Sequence, residues 1–175
     1  MAASPSPDDL VRHHADLVYR VVLSVLRNAD EAADAAQEAL VKVWRGCAAI
    51  PDAKRRAWCA RVARNAALDH LRRRKSRPQP ATDPGAMPEP LATTPAPDAR
   101  AESAEFQREL DRALATLGEP YRSIVVLREV EGLAYQEVAD TLDLPLNTMK
   151  VYLHRAKKRL RETLAAQAPE LVPVP

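Results

Sequence analysis

Leu117–Arg161 reads LGEPYRSIVVLREVEGLAYQEVADTLDLPLNTMKVYLHRAKKRLR, and its punctuation decides the fold. Gly118 stops one helical pattern and Pro120 opens the next, which runs to about Glu131 and closes at Gly132, where a left-handed cap costs glycine nothing. Tyr135, Val138, Ala139 and Leu142 then recur at helical spacing. After Asp143-Leu144-Pro145, a second stripe of Met149, Leu153, Ala156 and Leu160 falls within an arc of about 60° at roughly 100° per residue. A short helix, a three-residue turn and a longer basic helix together predict a helix-turn-helix.

The side of the last helix opposite its apolar stripe carries Asn147, Val151, Arg155 and Lys158, flanked by Lys150, His154, Lys157 and Arg161. No acidic residue interrupts Leu144–Arg161. One face packs and the other offers donors and positive charge, which suits the major groove, where Arg and Lys meet phosphates and guanine edges. The same pattern also describes a basic amphipathic helix at a membrane surface, a reading that leaves the short preceding helix and turn without a purpose.

Working outward, Phe106, Leu110, Ala113, Leu114 and Leu117 predict a further helix before Gly118. Upstream of it, seven of the fifteen prolines fall within residues 78–97, so that stretch can form neither helix nor central strand. A flexible linker is expected over 78–102, about 25 residues that span roughly 75 Å at polyproline pitch. In the N-terminal part, Leu10, Leu17, Val18, Val21 and Val25 mark one helix, and Asn28-Ala29-Asp30 ends it and caps the next. A second helix from about Glu31 to Gly46 is expected to turn Ala33, Ala36, Leu40, Val43 and Trp44 inward and to present Asp34, Gln37, Glu38 and Val41 as a polar strip around one aliphatic residue. A third, from about Ala53 to Lys75, is expected to bury Cys59, Val62, Ala66 and His70. The fold class is therefore all-α, two small helical domains at 8–77 and 103–165 joined by the Pro-rich linker.

Net charge is only +2, but it is segregated: residues 1–50, 51–77, 78–149 and 150–175 carry −2, +8, −8 and +4. Two basic blocks around an acidic middle point to two contacts with a polyanion. In the third helix Trp58, Arg61, Asn65 and Arg72 share a narrow arc, and Arg72–Arg77 adds five charges in six residues. A stacking ring, an amide and phosphate-holding guanidinium groups suit unpaired bases, while core packing by Trp58 and solvation of the Arg run explain the same residues equally well.

These stretches resemble the sigma-70 family of bacterial RNA polymerase, specifically the extracytoplasmic-function type that keeps only regions 2 and 4. The resemblance is carried by ADAAQEALVKVW (Ala33–Trp44), AWCARVARNAALDHLRRRKSR (Ala57–Arg77) and the Leu117–Arg161 segment, in that order. It implies that 8–77 is a region 2 domain and 103–165 a region 4 helix-turn-helix domain. Asp34, Gln37, Glu38 and Val41 then match the surface that docks on core RNA polymerase. Arg61 and Asn65, with the loop from about Ala48 to Arg56, match the part that melts the −10 element and captures a flipped base. Lys150, Val151, His154 and Arg155 match the positions that read duplex −35 DNA. The implied partners are core polymerase, promoter DNA and an anti-sigma factor. Val151 and Tyr152 depart from the more usual Ser and Arg, and Asn147 from Gly, which bears on the −35 sequence.

Other classes find little support. The four His are scattered and no catalytic triad or Gly-rich phosphate loop is visible, so neither an enzyme nor a small-molecule substrate is expected. Cys47 and Cys59 stand twelve apart with no second pair and no His at ligand spacing. They are expected to be two buried thiols, with no metal and no cofactor. No apolar run is long enough to span a membrane and the acidic, Pro-bearing start lacks signal-peptide form, so a cytoplasmic location is expected. A free-standing helix-turn-helix regulator remains the alternative, but it needs neither the Asp34/Gln37/Glu38 strip nor a second base reader.

Overall fold

Helix boundaries follow local chemistry along the chain. The computed structural model describes residues 6–76, 106 and 108–167. Helix α1 (Pro7–Leu26) starts where the Ser6 hydroxyl accepts the Asp9 N–H at 3.2 Å, with proline in the first turn and Asp8 and Asp9 at the positive end of the dipole. It ends at Arg27, whose φ of 56° is left-handed and whose N–H returns to the Leu23 carbonyl at 2.8 Å. Asn28 caps α2 (Ala29–Gly46) by accepting the Glu31 N–H at 2.9 Å, as its position predicts. A 3₁₀ turn (Cys47–Ala49) leads into α3 (Asp52–Ser76).

The three helices pack on one another through α1's Leu10, Leu17, Val18, Val21 and Val25, all buried as their spacing predicts. The inner face of α2 differs from the expected one. Ala32, Ala35, Ala36, Ala39 and Val43 are buried, while Ala33 is exposed and Trp44 is half exposed with its indole N–H on the Asp8 carboxylate at 3.0 Å. Helix α2 meets both α1 and α3, so the side with the smallest residues turns inward and the large ring is left at the rim. The same preference sets α3, which buries Cys59, Ala60, Ala63, Ala66 and Ala67. Val62 and His70 are only partly covered, and His70 Nε2 lies 3.7 Å from Glu31.

In the C-terminal half, α4 (108–115) precedes α5 (Tyr121–Val125), which runs on into a π-helical turn (Val126–Val130). Gly132 closes it at φ 67°, the position where the sequence calls for glycine. Helix α6 (Tyr135–Leu142) and α7 (Leu146–Gln167) follow. Phe106 and Tyr135, both expected inside, are each 43% exposed. Tyr135 opens α6 at its outer edge, and the Arg128 guanidinium lies 4.6 Å from its ring centroid while donating to the Leu133 carbonyl.

The lobes pack on each other, α1 against α5 and the π turn, α3 against α6, and one continuous apolar core runs through both. The Glu131 side chain is fully buried at this seam. Arg20 grips it with Nε to Oε1 at 2.7 Å and Nη2 to Oε2 at 3.0 Å, and Arg56 Nη2 donates to its carbonyl oxygen at 2.7 Å. Arg122 adds a bond to the Ser24 carbonyl at 3.2 Å. The expected linker at 78–102 lies outside the described residues.

Candidate nucleic-acid and protein interface

The turn before α7 is built from the backbone. Asp143 adopts φ 55°, the Leu144 N–H reaches the Ala139 carbonyl at 3.0 Å, and the Pro145 carbonyl accepts the Met149 N–H at 2.9 Å. This geometry aims α7 so that Met149, Leu153 and Ala156 are buried, with Leu160 half-buried behind them. The opposite face then stands clear: Asn147, Lys150, Val151, His154, Arg155 and Lys158 are all exposed. Val151, 48% exposed, puts an aliphatic contact among the donors, the chemistry that meets a thymine methyl group. Lys157 is drawn to Glu129 at 3.1 Å and Lys158 lies 3.9 Å from Glu162. No ion pair holds Lys150 or Arg155 among the described residues.

Along α3, Arg61, Asn65 and Arg72 are exposed on the face the sequence assigns to them. Trp58 is half-buried, and its ring lies so close to Gly46 that a Cβ there would come within 3.0 Å of it. Trp58 therefore seals α3 to the end of α2 and offers only part of its ring. Arg72 is paired with Asp69 at 3.0 Å, Arg73 with Glu38 at 2.7 Å and Arg74 with Glu31 at 3.1 Å. Exposed pairs of this kind are weak and screened by solvent, so a phosphate can displace the carboxylate.

Asp34, Gln37, Glu38 and Val41 are exposed together on α2. The hydrogen bond from Arg73 lowers the Glu38 carboxyl from its ordinary value, which favours the ionised form of Glu38 beside that guanidinium. The basic loop before Trp58 divides. Lys54 is exposed, Arg55 is buried and bonded to the Cys47 and Ile50 carbonyls, and Arg56 is committed to Glu131. The grouping of Arg20, Arg56 and Glu131 had no signal in the sequence, since the residues are far apart and share no spacing.

Comparison with known proteins agrees with this layout. Residues 10–77 match the family model described as Sigma-70 region 2, and residues 107–160 match Sigma-70, region 4. The chain is 35% identical over 174 residues to the ECF RNA polymerase sigma factor SigE of Mycolicibacterium smegmatis, covering 97% of this chain and 65% of that relative's length. It is 32% identical over 163 residues to the ECF RNA polymerase sigma factor SigL of Mycobacterium tuberculosis, covering 89% and 86% respectively. Among solved structures, the fold is similar to the sigma factor RpoE of Bartonella quintana, solved in complex with the anti-sigma factor NepR. The TM-score is 0.68 at 21% identity, covering 88% of this chain and 93% of that one.

Proposed function

The chain belongs to the extracytoplasmic-function group of the sigma-70 family, and from that premise we propose that its two lobes divide promoter recognition between them. It binds core RNA polymerase and directs promoter-specific initiation of transcription. Residues 8–77 form the lobe that docks on polymerase and opens the −10 element, residues 103–165 the lobe that reads the −35 element, and 78–102 the connection between them. The strip Asp34, Gln37, Glu38 and Val41 meets core polymerase. Arg61 and Asn65 engage an unpaired base, with Arg72 and the edge of Trp58 beside them. Asn147, Lys150, Val151, His154, Arg155 and Lys158 enter the major groove. The protein contributes binding, and polymerase does the chemistry. It acts in the cytoplasm, in keeping with the lack of any described helix long and apolar enough to cross a membrane.

The observation that carries this reading is the face of α7, where Asn147, Lys150, Val151, His154 and Arg155 stand exposed opposite the buried Met149, Leu153 and Ala156. A solved relative was captured with an anti-sigma factor, and we extend such a partner to this chain, competing with core polymerase for the same surfaces. Run-off transcription with core polymerase on a randomised promoter library tests the reading. Enrichment of two elements at fixed spacing is expected, and transcripts that need no added chain, or show no selected sequence, would overturn it.

A further inference from the structure

Three residues with no role in promoter recognition meet inside the N-terminal lobe. His14 comes from α1, Cys47 from the 3₁₀ turn after α2, and Cys59 from α3. A ring nitrogen of His14 and both sulfurs lie within 4.8 Å of one another. Both cysteines are fully buried and unbridged, as expected of buried thiols, and His14 is only 5% exposed. The sequence hides the grouping because a ligand set drawn from three helices has no spacing motif.

Packing alone accounts for the cysteines, which behave as small apolar residues in an alanine-rich core. It does not account for His14. Its Nδ1 is buried with no hydrogen-bond partner, an arrangement that buried polar atoms avoid and that an apolar side chain at this position would not create. Two sulfurs and an imidazole nitrogen, on a ring whose Nδ1 has no partner, are the donors that thiophilic ions select. Tetrahedral zinc, with Zn–S near 2.3 Å and Zn–N near 2.0 Å, holds its ligand atoms roughly 3.5–3.8 Å apart. The present spread needs a contraction of about 1 Å at most to reach that range.

We propose that His14, Cys47 and Cys59 form a binding site for a single thiophilic d¹⁰ cation, Zn(II) or Cu(I), in the core of the N-terminal lobe. Two thiolates and one imidazole complete a three-coordinate Cu(I) site, and for Zn(II) they leave one position for water. Access exists on the His14 side, where a cleft of about 410 Å³ is lined by His13, His14, Asp9, Asp52, Arg55 and Arg56. Of the two carboxylates at this mouth, Asp52 is paired with Arg55, which leaves Asp9 to meet an incoming cation. The charge of Arg55 is engaged by Asp52 and by the Cys47 and Ile50 carbonyls. Loading ties Cys47 to α1 and α3 and so fixes the start of the segment that ends at Arg56, the residue gripping Glu131 of the other lobe. The binding claim stands on the ligand geometry alone and holds whether or not the promoter assignment does.

The full chain, stripped with chelator and kept reduced with a phosphine, is titrated separately with Zn(II), with Co(II) as its spectroscopic substitute, and with Cu(I) against a chromogenic competitor. One equivalent is expected to bind, with thiolate-to-cobalt charge-transfer absorption and a raised Tm. The Cys47→Ala/Cys59→Ala double variant should lose stoichiometric binding, and His14→Gln should weaken it by about tenfold or more. Should the variants fail to fold, X-ray absorption on the loaded wild-type chain decides the matter without them. Two sulfur scatterers and one imidazole support the site, with an added light scatterer marking Zn(II). A shell of nitrogen and oxygen only, no stoichiometric uptake of either ion, or undiminished binding by the folded double variant would overturn it.

Discussion

Single side chains on α3 and α2 can be separated by what each loses on truncation. Asn65 is exposed, so Asn65→Ala should leave the fold intact while weakening a site built to hydrogen-bond a captured base by about 1–3 kcal/mol. Permanganate footprinting should then show less melting at the −10 element with core binding unchanged, and full reactivity would remove Asn65 from the role. The double substitution Gln37→Ala with Glu38→Ala should weaken competition for core polymerase. Because Glu38 also holds Arg73, the single change Arg73→Ala is the control that isolates loss of the pair from loss of docking. If only the Arg73 variant loses affinity, the strip is misassigned. Sequence alone placed Asp34, Gln37, Glu38 and Val41 outside correctly. It left Trp58 open between core packing and base stacking, since nothing in the spacing of Trp58 reports the approach of Gly46 to its ring.

Among the elements, α7 was the most legible, because one amphipathic helix needs only its own periodicity to declare which side is buried. Met149, Leu153 and Ala156 are inside and the basic residues outside, as read. Helix α2 was less so. Alanine counts weakly as an apolar marker, and which alanines turn inward depends on two neighbouring helices that its own sequence does not describe. The readable element carries the sharper prediction. Arg155 has no ion pair among the described residues, so Arg155→Ala should weaken −35 binding without altering stability. A phosphate contact would lower affinity uniformly across sequences and reduce the salt slope by about one unit, whereas a guanine contact would cost about 1–3 kcal/mol at one base pair only. Binding isotherms on matched and mismatched −35 duplexes across a salt series distinguish these, and wild-type behaviour in all of them would mean that α7 lies differently in the groove.

At the scale of the whole molecule, the packing of the lobes is the feature no local pattern could supply, since it rests on contacts between residues such as Arg20 and Glu131, 111 positions apart. If the lobes divide promoter recognition as proposed, they sit on two separate elements and this seam has to open, so its strength sets a tax on every productive encounter. The Glu131 carboxylate is buried while Arg20 and Arg56 remain 39% and 48% exposed at their side chains, so water moderates the attraction but does not abolish it. Glu131→Gln keeps the shape and removes the charge, which should weaken the seam by about 2 kcal/mol, the scale of a charged hydrogen-bond pair. That corresponds to roughly a thirtyfold shift toward separated lobes. Spin labels on introduced cysteines at Ala33 and Gln136, both exposed, can read the distance between lobes, because the two native thiols are buried. The variant should show a longer and broader distance distribution, with core polymerase bound at least as tightly as by the wild-type chain. The Arg56→Gln variant should open the seam less, because Arg20 keeps two contacts to the carboxylate. An unchanged distribution in Glu131→Gln would mean that the apolar contacts of α1 with α5 hold the lobes by themselves, and the charged residues at the seam would then serve only to fix its register.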